Sequence, residues 1–96
     1  MKMLMLVYSG PTPQRVTQLL DRHGVAGYSE LGNVHGAGAT GRRAGTRAWP
    51  GDSSLFVTIV PAAQANDLVA ALRQEAQSLP APERLHAAVL PIETFF

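Results

Sequence analysis

Residues 54–60, Ser-Leu-Phe-Val-Thr-Ile-Val, are the strongest strand signal in the chain, and the proline that follows constrains what comes next. β-Branched and aromatic residues concentrate there, as a pleated, packed surface favours. Pro61 cannot continue a central strand but suits the opening of a helix. Ala65, Leu68, Leu72, Ala76 and Leu79 then form one apolar stripe, with Arg73 and Glu75 mostly outside it. Pro80 and Pro82 stop that helix, and residues 85–92 read as a closing strand. The first half of the chain follows the same plan. Residues 2–8 are an apolar run of strand length closed by Ser9, Gly10 and Pro11. Thr12 is placed to cap a helix that Pro13 begins, with Val16, Leu19, Leu20 and His23 on its inner stripe and Gly24 at the C′ position. Residues 25–31 read as a weaker second strand. The order strand, helix, strand, long loop, strand, helix, strand predicts an α+β fold. It is the ferredoxin-like βαββαβ plan in a single domain over 1–96, an antiparallel sheet with both helices on one face.

A sheet covered on one side only should alternate apolar and polar residues. These strands do not. Leu55, Val57 and Ile59 lie on one face of the third strand, with Phe56 and Val60 on the other. Met3, Met5 and Val7 likewise back Leu4, Leu6 and Tyr8 in the first. Leaving about five such side chains wet would forgo roughly 1.5–3 kcal/mol each. The pattern therefore predicts that other subunits cover the second face.

Composition narrows the function classes. The chain is 46% hydrophobic and 16% charged, with a net charge of +1, a balance that does not favour nucleic acid or an anionic membrane. With no cysteine there is no disulfide, thiolate metal site or cysteine nucleophile, which fits a cytoplasmic protein. The apolar run near Met1 is too short to be a leader's hydrophobic segment or to span a bilayer, and reads as a first strand without direct membrane insertion.

The segment Gly32 to Asp52 is a 21-residue loop holding most of the chemistry. Structureless connections beyond about 12–15 residues are uncommon. Gly36, Gly38 and Gly41 spell G-x-G-x-x-G, but Gly45, Pro50 and Gly51 forbid the helix that a dinucleotide fingerprint must open. Arg42, Arg43 and Arg47 follow these glycines with no acidic residue between Leu31 and Gly51, and Trp49 precedes a Pro-Gly turn. Closely approachable glycine amides beside planar guanidinium groups suit an anionic ligand or partner carboxylates.

Val34-His35-Gly36-Ala37-Gly38, the loop through Asp52, and Val60-Pro61 together resemble the PII signal-transduction proteins. In that family a second strand ends in Val-Lys-Gly-x-Gly, a long T-loop follows, and Val-Pro leads into the second helix. The match covers nearly the whole chain in order and length, and residues 45–51 are most similar to a compact, divergent PII-like subgroup. The resemblance implies a non-catalytic homotrimer that binds a small anionic effector in clefts between subunits. Its T-loop would dock on a target protein such as a transporter or metabolic enzyme, as in nitrogen regulation. It makes ATP, ADP or AMP the first candidate ligand. Gly36 and Gly38 would supply amides, Arg42, Arg43 and Arg47 would supply charge to ligand or target, and Trp49 would anchor the loop or touch the partner.

The chain also departs from the family. Residues 79–84, where the family's B-loop wraps phosphates, hold no glycine and no lysine. Glu93-Thr94-Phe95-Phe96 stand where the family has arginines, and the loop lacks a tyrosine for uridylylation. These differences separate it from the usual ATP and 2-oxoglutarate site. Two other readings stay open. His35, at the mouth of the loop, could bind metal as in the CutA-type trimers linked to metal tolerance, whereas His23 and His86 read as core-edge residues. Small ferredoxin-like oxygenases and isomerases could use His35 with Tyr28 or Trp49 lining a cavity.

Overall fold

The computed structural model describes residues 1–35, 37–38, 41–42 and 53–96. In chain order the elements are β1 (Lys2–Ser9), α1 (Gln14–Arg22), β2 (Ser29–Val34), β3 (Ala37–Gly38), β4 (Gly41–Arg42), β5 (Ser53–Val60), α2 (Ala62–Ser78) and β6 (Arg84–Pro91). The main sheet has the order β2-β5-β1-β6 and is antiparallel throughout. With two helices in the crossovers, this is the ferredoxin-like βαββαβ arrangement expected from the sequence.

Alternation along the strands builds the core. Leu4, Leu6 and Tyr8 of β1 and Phe56 and Val60 of β5 are buried beneath Val16, Leu19 and Leu20 of α1 and Ala65, Leu68 and Leu72 of α2. The helical residues fall at the 3.6-residue spacing that puts one stripe of side chains inward.

Helix α1 ends in a Schellman motif. Gly24 takes φ +69°, its N–H donates to the Asp21 carbonyl at 3.1 Å, and the Val25 N–H donates to Leu20 at 3.1 Å. Glycine adopts that left-handed conformation without the Cβ penalty, and Val25 closes the motif against the core. His23 is the C-cap and is exposed, not part of the inner stripe; its carbonyl accepts a 2.9 Å hydrogen bond from the Gln64 side chain. The start of α1 also differs from expectation. Pro13 takes the N-cap position and Thr12 makes no side-chain cap; the Thr12 carbonyl receives the Arg15 N–H at 3.1 Å.

The second strand begins four residues later than its sequence suggests and runs three further. Residues 25–28 are drawn into the connection that follows the Schellman turn, where Thr58 donates to the Gly27 carbonyl at 2.6 Å. A bulge between Leu31 and Val34, with Asn33 at φ 55°, lets pairing resume at Val34 opposite Ser53. Asn tolerates this conformation better than most residues. The expected loop is thus partly regular: Gly32–Val34 belong to β2, and β3 and β4 pair with each other through Ala37↔Arg42 and Gly38↔Gly41.

The helix-free face is apolar, as the strand pattern predicts. Register and alternation place Met3, Met5, Val7, Leu55, Val57, Ile59, Ala88, Leu90 and Leu31 on it. Met5 and Leu90 are exposed, and Leu31 is 52% exposed. His86 shares this face opposite Val7 and is exposed, not a core-edge residue.

The core account is checked by Leu68→Ala, expected to cost about 2–5 kcal/mol in urea unfolding because it leaves a cavity under β1. Asp67→Ala, one residue away on the outer side, should stay within about 0.5 kcal/mol.

Candidate functional site

One end of the sheet gathers the polar features. Val34, Ser53, Ser9 and Arg84 form a row across all four strands, so the 32–52 segment leaves and returns at adjacent positions. Ser9 and Ser53 face each other there in a buried hydroxyl pair at 2.7 Å. His35 follows Val34 and is exposed. Among the residues expected to bind ligand or partner, Gly36, Arg43, Arg47 and Trp49 lie outside the described residues. Gly38 and Arg42 are described by their backbone pairing only, in neighbouring rungs of the β3–β4 ladder. Among the described residues, no three histidine, aspartate or glutamate side chains come together as a metal site.

Beside this row lies a charged cluster that sequence spacing does not announce. Tyr8 is the last core side chain of β1, and its hydroxyl donates to the Glu83 carboxylate while accepting the Thr12 N–H at 3.0 Å. The Arg15 Nε stands 3.3 Å from the same carboxylate, off hydrogen-bond alignment, and its Nη1 lies 3.8 Å from Glu75. The Glu83 side chain is only 7% exposed. Gly10 is required here, because a Cβ at that position would strike the Tyr8 ring and the Glu83 side chain. Glu83 belongs to the 79–84 stretch, whose turn is closed by its own N–H donating to Pro80 at 2.9 Å. A carboxylate paired with an arginine therefore occupies the stretch that has neither glycine nor lysine.

A second feature lies at the other end of β2. Gly27, Tyr28, Ser29, Val57, Ile59 and Phe95 line much of a cleft of about 470 Å³. The Thr58–Gly27 hydrogen bond fixes one wall, and the Tyr28 ring sits 6.5 Å from Phe56 in a tilted pair. Sequence spacing gives no reason to join Phe95 to Tyr28. The one available signal is Thr58, a hydroxyl in an apolar strand that needs a buried partner.

The sequence matches no protein-family model and no curated protein. Solved structures do match. CPII from Thiomonas intermedia K12, solved with ADP and bicarbonate, is 25% identical over 93% of this chain and 86% of its own, with a TM-score of 0.68. A DUF3240 family protein from Shewanella baltica OS155 is 18% identical over 99% and 93%, with a TM-score of 0.70. A PII-like signalling protein from Thermus thermophilus is 22% identical over 92% and 82%, with a TM-score of 0.60. In class the chain is a ferredoxin-like α+β domain. Within that class it has a divergent PII-like fold.

The Tyr8 cluster yields a pH prediction. Burial first, and then the bond to Glu83, raise the Tyr8 phenol above its ordinary 10.0. The unfolded chain therefore loses that proton first, and the stabilising contribution is complete below about pH 10 and lost as pH rises further. Tyr8→Phe should cost about 1–3 kcal/mol at neutral pH by stranding the Thr12 N–H and Glu83, and should flatten the alkaline fall in stability. Urea unfolding from pH 7 to 11 checks both.

Proposed function

We propose that this chain is a PII-like regulatory protein without catalysis of its own. It acts as a cytoplasmic homotrimer that binds a small anionic effector and controls a target protein through its 32–52 loop. The observation that carries the reading is the likeness to CPII, which spans 93% of this chain and was solved with ADP and bicarbonate. CPII has also been solved with AMP beside ADP. An adenine nucleotide is accordingly the first candidate.

Two features of this chain support the reading. Its helix-free sheet face is apolar across all four strands, and a face of that kind is stabilised by burial against other copies. Its cleft offers apolar walls for a flat ring, with the Ser29 hydroxyl available at the edge. Charge for the anion comes from the loop, because Arg15 already faces two carboxylates. Gly36 and Gly38 supply amides, Arg42, Arg43 and Arg47 supply guanidinium groups, and Trp49 anchors the loop or meets the target.

Light scattering should give three times the 10.2 kDa chain mass, and calorimetric titration should give saturable binding of ADP or AMP. Replacing Arg42, Arg43 and Arg47 together with alanine should weaken that binding by about tenfold or more while leaving the trimer intact. A monomer or dimer, or indifference to the triple substitution, would sink the assignment.

A further inference from the structure

Phe95 forms a wall of the cleft although its chain segment starts on the far side of the sheet. It follows β6, an edge strand, while the cleft lies between β5 and the connection into β2 at the other edge. Passing from β6 over β1 to β5 crosses two strand spacings, about 10 Å. Four residues after Pro91 can span at most about 14 Å, so the segment has little slack. It is tied down on the way: the Ile92 N–H donates to the Met1 carbonyl at 3.3 Å, and the Ile92 side chain is half-buried. The next residue shows that the placement is selective, since Phe96 is fully exposed while Phe95 is 59% exposed and turned to the cleft.

Tyr28 and Phe95 therefore both present apolar ring surface to one open cavity, Tyr28 being 39% exposed. Thr58 spends its hydroxyl on Gly27 and so does not compete for a ligand's polar edge. Surface of this kind is covered most fully by a flat, base-sized ring. We infer that Phe95 is a specificity-determining wall of the ligand site, packing on the base of a nucleotide and not on its phosphates. The inference rests on the proposed nucleotide-binding reading and adds to it a residue that distinguishes this chain by an aromatic contact. Recognition through Phe95 is indifferent to phosphate number.

The test is calorimetric titration of the full chain and its Phe95→Ala, Phe95→Tyr and Phe96→Ala variants with ADP and with AMP. Phe95→Ala should weaken both nucleotides by about tenfold and by the same factor, since stacking on a base is what is removed. Phe95→Tyr and Phe96→Ala should bind like the parent. Three results would overturn the inference while leaving the regulatory reading in place: undiminished binding in Phe95→Ala, a loss confined to ADP, or an equal loss in Phe96→Ala. Failure of the parent chain to bind either nucleotide would overturn both.

Discussion

The position of β1 between β5 and β6 fixes which side chains of the main sheet meet the helices. Its eight residues pair along their whole length on both sides, so the strand has no free edge and its alternation is imposed on both neighbours. Leu4, Leu6 and Tyr8 fill the core, and Met3, Met5 and Val7 turn to the other face. Tyr8 differs from its neighbours in carrying a polar tip. That tip emerges where the strand ends, and there it holds the Thr12 N–H and the Glu83 carboxylate. One side chain thus joins the core, the start of α1 and the turn before β6. A buried phenol hydroxyl needs a partner in any case. Here its partners fix two connections at once.

The features that could be read from the sequence were those whose cause is local. Helix stripes at 3.6 spacing, the apolar runs of β1 and β5, and Gly24 at a helix end each follow from a few neighbouring residues. Residues 29–34 gave no usable alternation because nearly all of them are exposed and their placement depends on pairing with β5. Thr12 carries a capping side chain, yet its N–H is taken by Tyr8, a tertiary contact that its neighbours in sequence do not announce. His23 sat on the predicted stripe, but the helix ended one residue earlier and its cap faces solvent. The cleft was the least legible feature, since Gly27, Thr58 and Phe95 meet only once the strand order is known.

Charge is distributed unevenly in a way that bears on ligand chemistry. The 79–84 stretch contributes Glu83, and that carboxylate is held between Tyr8 and Arg15. Removing Arg15 would leave a nearly buried carboxylate without its cation, which is costly. The cluster is therefore a structural fastening, and Arg15 is not free to serve an incoming anion. Positive charge at this end of the sheet comes instead from Arg84, exposed in the row beside Ser9, and the arginines of the 32–52 segment are the concentrated source in the sequence.

The same two strands carry both the loop and the cleft. β2 begins at Ser29 in the cleft and ends at Val34, where the loop departs; β5 receives the loop at Ser53 and reaches Val57 and Ile59 beside the cleft. Six residues of strand are about 20 Å long, so the cleft and the point where the loop departs lie at opposite ends of one ladder. Effector control requires a ligand to favour one state of the loop over another, which is a coupling free energy and not a matter of proximity. A paired strand transmits displacement stiffly, and the bulge between Leu31 and Val34 is where the register of β2 changes. A ligand that seats β2 against β5 at Ser29 would act on the loop through that bulge.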